Sequence, residues 1–244
     1  MFRRMFIAGV VLLAIGGIGA LLTGKSYFFA AEREQSTTNF ADAIIEEINV
    51  KGETGSVSIK STTGDAVIVE SKGPKKGEQI QTELDGQTLT VSTPKRGMID
   101  FGINFNEKGT DIIIYLPEKS YKKITANNDI GSIKITGIQA ERIQCESEVG
   151  DITIKDSTGE LNLKNEVGDI KIEVQAIKHS ITASNEIGNI KISVSEKPED
   201  HFISAYSEIG SIRTFGKKTS SYLSGNGSIP VDLKTEIGDI DLDS

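Results

Sequence analysis

Apolar and polar residues alternate through the second half of the chain, and a glycine breaks the alternation at regular places. Around Gly168 the order is Leu161, Leu163, Asn165, Glu166 and Val167, then Asp169 before Ile170 and Ile172. Period two puts every second side chain on one face. Leu161 and Leu163, then Ile170 and Ile172, therefore predict two short strands that face a common interior and meet at a corner, with Val167 packed into it. The same slots hold Ile143, Cys145, Val149, Ile152 and Ile154 one unit earlier. One unit later they hold Ile181, Ala183, Ile187, Ile190 and Ile192. The phrase recurs about Gly131, Gly150, Gly168, Gly188, Gly210 and Gly238, at steps of 19, 18, 20, 22 and 28 residues. A period near twenty with strand-like alternation predicts a repeat that buries its apolar face only by stacking on its neighbours. The expected fold is all-β, a single-stranded β-solenoid with regular coils from about residue 121.

The chain before these coils is less regular. Ile48 and Val50, Val57 and Ile59, 67–69, 80–82, 89–91 and 111–117 read as strands, the last stopped by Pro117. Asp85-Gly86 predicts a hairpin turn or a tight corner, and Phe40 to Glu47 opens with the pattern of a helical turn. Residues 94–110 are read as a loop or hairpin projecting from the body. Three residues before each phrase glycine stands a small polar residue: Asn128, Ser147, Asn165, Asn185, Ser207 and Thr235. This column is read as structural, bonding to the backbone of neighbouring coils or one residue to the next.

The first residues carry a different pattern. Met5 to Gly24 is a run of twenty uncharged residues, which at ~1.5 Å per residue spans a hydrocarbon core of roughly 30 Å. Arg3 and Arg4 precede it, so the positive-inside rule leaves the remainder outside the cell. A cleaved signal peptide is the competing reading, but Phe28 and Phe29 spoil the small-residue pattern before Ala30 and Ala31. The organisation expected is a cytoplasmic tip at 1–4, a transmembrane signal-anchor at 5–24, a linker at 25–40 and an extracytoplasmic solenoid at 41–244.

Charge narrows the function. The 244 residues carry 27 Lys and Arg against 35 Asp and Glu, a net of −8, which argues against a nucleic-acid surface. One cysteine, Cys145, excludes an internal disulfide and reads as a buried thiol. His179 and His201 have no partner at catalytic spacing. No phosphate loop, zinc cluster or nucleophile elbow is present, and no cofactor is expected. A polysaccharide-active β-helix enzyme remains an alternative, although the sequence has no Trp to serve as a sugar platform. The column with most chemistry in it is acidic: Asp129, Glu148, Glu166, Glu186, Glu208 and Glu236, each two residues before its glycine. Equal register would set these side chains one rung apart, where neighbouring unit charges repel by roughly 0.8 kcal/mol in water. Solvated stripes offset by Lys134, Lys171, Lys191 and Arg213 are one reading. A divalent-cation ladder that also uses Asp151, Asp169 and Asp239 is another.

The segment Ile112-Ile-Ile-Tyr-Leu-Pro-Glu-Lys-Ser-Tyr-Lys-Lys-Ile124, followed by Ile/Val-Gly-Asp/Ser-Ile coils, resembles the bacterial putative-adhesin β-solenoid family. With an apolar run in front, the layout is similar to LiaG-type membrane proteins of Gram-positive cell-envelope stress systems. The resemblance spans roughly Ile44 to Ser244. It implies a right-handed parallel β-helix-like fold, an extracytoplasmic location and an adhesion or envelope role, and it transfers no catalytic residues. The function expected is a non-enzymatic adhesion, binding or scaffold module at the envelope, with a regulatory partner of a membrane stress sensor as a further alternative. Expected partners are the membrane, through 5–24, and a cell-wall polymer or envelope protein; the acidic column and residues 97–110 are the expected contacts. The final strand, at Asp241 to Asp243, is expected to present an edge shielded by its charges or by a dimer contact.

Overall fold

The computed structural model describes residues 33–41, 43–74, 80–94 and 109–244. The residues expected as the cytoplasmic tip and signal-anchor, and positions 95–108 of the segment 94–110 expected to project, lie outside the described residues, as does the first part of the linker. Among the described residues no helix is long and apolar enough to cross a membrane.

The described residues are all β, in twenty strands. They are β1 (Arg33–Phe40), β2 (Glu47–Thr54), β3 (Val57–Thr62), β4 (Val67–Pro74), β5 (Gln81–Asp85), β6 (Thr88–Ser92) and β7 (Asp111–Pro117). The regular coils supply β8 (Ser120–Ile130), β9 (Ile133–Thr136), β10 (Gln139–Val149), β11 (Ile152–Lys155), β12 (Thr158–Val167), β13 (Ile170–Val174), β14 (Ile181–Ile187) and β15 (Ile190–Val194). Last come β16 (His201–Ile209), β17 (Ile212–Thr214), β18 (Ser221–Leu223), β19 (Ile229–Ile237) and β20 (Ile240–Asp243).

Each coil gives one strand to each of two ten-stranded sheets. The first sheet runs β1-β4-β7-β3-β9-β11-β13-β15-β20-β17, and the second runs β18-β16-β19-β14-β12-β10-β8-β2-β6-β5. Coil-to-coil pairing is parallel and in register, with Ile152 opposite both Ile133 and Ile170, and Ile143 opposite both Ile124 and Leu161. Equivalent apolar residues therefore pile over one another and form a continuous buried core. Each Ile fully withdrawn from water there contributes on the order of 2 kcal/mol.

Stack order departs from chain order at both ends. The β2/β3 coil lies directly beside β8/β9, while the later β6 and β7 lie outside it. At the other end β19/β20 slides between β14/β15 and β16/β17. The final strand is thus interior, and the edge expected there is corrected: β17 and β18 take the outer positions. Two further expectations change. The linker gives up Arg33–Phe40 to β1, which pairs antiparallel with β4 along eight residues. Among the described residues from Phe40 to Glu47 no helical turn forms, and 43–46 lead into β2 without regular structure. The hairpin at Asp85-Gly86 is present, joining β5 and β6 with Gly86 at φ 58°.

The Leu-Pro-x-Lys-x-Tyr segment makes the crossing from β7 to β8. Leu116 and Tyr121 are buried, and the Tyr121 hydroxyl donates to the Pro117 carbonyl at 3.0 Å. Burial pushes that phenol up to about 12, so it remains a donor at any physiological pH. The Lys119 ammonium sits 5.1 Å from the Tyr121 ring centroid. The segment closes a corner of the fold. Cys145 fills a core slot between Ala126 and Leu163, and desolvation raises its thiol to about 12.

Candidate functional site

The repeated corner has an inner and an outer side. Inside, the phrase glycines stack so closely that a Cβ on Gly150 would lie 2.2 Å from the Gly131 carbonyl oxygen. One on Gly188 would lie 2.0 Å from that of Gly168. Their φ angles of 146° and 135° add a second reason for glycine. The small polar column turns inward onto these carbonyls. Asn165 Nδ2 donates to Gly150 O at 2.9 Å, Asn185 Nδ2 to Gly168 O at 2.7 Å, and Thr235 Oγ1 to Gly188 O at 3.0 Å. Asn128 does the same to Gly55 O at 2.8 Å, and Ser207 to Gly238 O at 2.8 Å. The structural reading of this column holds at these five positions, while the buried Ser147 hydroxyl has no hydrogen-bond partner.

The residues just after the glycines form a second ladder. Asp151 Oδ1 accepts the Asp169 amide at 2.9 Å, and Asp169 Oδ1 accepts the Asn189 amide at 2.8 Å. Asn189 Oδ1 accepts from Asp239, and Asp239 Oδ1 accepts from Ser211 at 2.8 Å. The Asp239 carboxyl is held below the usual range, first by the Ser211 backbone amide, then by the Ser211 side chain, with the Arg213 charge adding to both. Asp151, Asp169 and Asp239 are therefore committed to the backbone of the next coil.

Outside the corner two columns face solvent. The acidic one comprises Asp129, Glu148, Glu166, Glu186, Glu236 and Glu208 in stack order, with Glu53 as the equivalent residue beyond Asp129. The predicted residues do share one line, although the last two exchange places because β19 precedes β16 in the stack. The Glu148 carboxyl is raised above the usual range by partial burial, then by Asp129 and Glu166 on the adjoining rungs and by Glu146, against a lowering by Lys164. Among the described residues no three His, Cys, Asp or Glu side chains gather into a metal-holding group. The carboxylates form a line at rung spacing.

Val149, Val167 and Ile187, which the sequence predicts to pack at the corner, belong to a second outer column. Ile130, Val149, Val167, Ile187, Ile237 and Ile209 pair in register beside the carboxylates. Ile130 is 53% exposed, Val149 43%, Ile237 44% and Ile209 62%. The corner packing expected of Val149 is thus corrected, and Val167 and Ile187 are only half-buried. The inner corner is already filled by Asn165 and its equivalents, so the backbone turns before the next side chain can enter. The carbonyls of this column are used, since Gly150 N donates to Val167 O and Gly168 N to Ile187 O, both at 2.9 Å. Only the apolar side chains are left outward. The signal that marks them is a polar residue in the preceding inward slot, directly before a glycine corner.

His201 is buried between coils. Its Nδ1 accepts the Asp200 amide and its Nε2 donates to the Ile177 carbonyl at 2.8 Å, so both ring nitrogens serve the fold.

The Toastrack DUF4097 family model matches residues 45–159 and, again, 129–243. A "putative cell adhesion protein" from Clostridium sporogenes has a solved structure that aligns at a TM-score of 0.54 and 14% identity, covering 87% of this chain and 99% of that one. A "putative adhesin" from Bacteroides fragilis aligns at 0.40 and 15% identity, over 87% and 98%. A "putative lipid binding protein" from Parabacteroides distasonis aligns at 0.35 and 15%, over 85% and 97%. No curated protein matches. The Clostridium structure carries the likeness in fold.

Proposed function

We propose, from the premise that the chain belongs to the Toastrack DUF4097 family, that it is a membrane-anchored, extracytoplasmic module that binds or scaffolds at the bacterial cell envelope without catalysing a reaction. The observation that carries this reading is the outer corner, where an apolar column and an acidic column run side by side over successive rungs. Single exposed apolar residues are ordinary, but an aligned row of them on a rigid repeat is a contact surface. The anchor is the uncharged run 5–24 with Arg3 and Arg4 before it.

Two measurements test the proposal. Protease added to intact cells is expected to degrade the chain beyond residue 25; full protection would overturn the extracytoplasmic placement. Full-length protein in lipid vesicles, mixed with isolated envelope polymers and envelope proteins, is expected to retain a partner with the polymers unchanged in length. Shortened polymer chains would overturn the non-enzymatic reading and favour a polysaccharide-active enzyme.

A further inference from the structure

The outer corner is negative and apolar, and the outer face of the other sheet carries its complement. Lys134, Lys171, Lys191 and Arg213 are exposed on the first sheet and fall in one column. Thr153 stands between Lys134 and Lys171, and Asp241 between Lys191 and Arg213. Lys171 also meets Glu173, which Lys155 approaches at 3.3 Å. Within one phrase the acid and the base are five residues apart, as in Glu166 and Lys171, Glu186 and Lys191, or Glu208 and Arg213. Both columns therefore climb the same stack with the same repeat.

That shared repeat selects the partner. Rungs are ~4.8 Å apart. A peptide strand lying along the ridge presents same-face side chains about every 6.8 Å, and a helix returns about every 5.4 Å. Either falls out of step within a few rungs. A second copy of this chain keeps step along the whole ridge. Its lysines also suit the ridge's mixed chemistry, because their aliphatic stems can cover Ile and Val while the ammonium groups reach the carboxylates.

We propose that the corner ridge of one copy docks along the Lys134–Arg213 column of a second copy, side by side. The two surfaces differ, so the contact is heterologous and repeats outward into rows instead of closing at a dimer. The proposal rests on the reading of the ridge as a contact surface and names a second copy as its occupant; sedimentation of the purified chain tests it apart from retention of an envelope partner.

The test is sedimentation of the full-length chain in a non-ionic detergent. Association beyond the dimer is expected at about 0.01 M salt, where charges act over roughly 30 Å, and dissociation at about 1 M, where they act over roughly 3 Å. Glu166→Lys with Glu186→Lys should abolish the association, and so should Lys191→Glu with Arg213→Glu. An equal mixture of the two variants should restore a complex, each supplying the surface the other keeps. Circular dichroism confirms that both variants are folded. A monomer at every salt concentration would overturn the proposal. So would association that neither salt nor the substitutions weaken, because it would then run through another surface.

Discussion

The inner and outer sides of the corner are built by the same eight-residue phrase and obey opposite rules. Inside, every position of the phrase but Ser147 is fixed by a neighbour at bonding distance: a glycine against a glycine carbonyl, an Asn amide on that same carbonyl. Outside, Glu and Ile/Val repeat as faithfully, yet their side chains project into solvent. Contact with the next coil explains the repetition inside. For the apolar column outside, stacking alone supplies no such reason, since those side chains lie outside the core. The difference separates what the fold requires from what the surface offers.

Substitutions should divide along that line. The largest effect belongs to the innermost position: Gly168→Ala places a Cβ 2.2 Å from the Gly150 carbonyl oxygen at a φ of 133°. A loss of about 3 kcal/mol in urea unfolding is expected, and a loss under 1 kcal/mol would mean that the corner relaxes freely. Next comes the inward ladder. Asn165→Ala removes the donor to the Gly150 carbonyl and should cost about 2 kcal/mol. Ser147 occupies the equivalent slot, but its buried hydroxyl has no hydrogen-bond partner. Ser147→Asn should therefore gain roughly 1 kcal/mol by adding the missing rung, and thermal unfolding of the two variants should move in opposite directions.

The smallest effect lies outside. The folded protein holds the Glu148 carboxyl above its ordinary range, so ionising it works against folding. The protonated group's contribution is complete below the ordinary glutamate range and is lost as pH rises through the raised value. Glu148→Gln should thus stabilise at neutral pH by about 0.5 kcal/mol or less, with the gain vanishing as pH falls below that range. An equal gain at acidic and neutral pH would show that ionisation of Glu148, disfavoured by partial burial and then by its acidic neighbours, is not the cause.

The parts of the molecule that follow local rules were readable before the structure. Ile152, Ile170 and Ile190 announce their slots by period two, the Asn and Ser column its inward bonds, and Asp85-Gly86 its hairpin. What failed depends on which coil meets which. Nothing local to Ile240 or Leu242 says that their strand lies between β15 and β17, because the phrases at Gly188, Gly210 and Gly238 are nearly interchangeable. Val149 failed for a related reason: alternation holds only along a strand, and the corner spends the inward place on Ser147. Arg33–Phe40 reads as linker because its partners on β4 lie 27 to 41 residues away. The acidic column was legible as a register, but the Ile/Val column that gives it an apolar flank was not.

The late insertion of β19 and β20 has a consequence for assembly. A growing chain that laid β16 and β17 directly on β14 and β15 would have to part them again to admit residues 229–243. The loop at 224–228 helps decide the outcome, since the Asp200 carboxylate gathers the Asn226 and Ser228 amides and pins the return path. These last strands act as a keystone, completing the pile from within, and a polypeptide cut short before them would leave its outermost layer seated on the wrong neighbour.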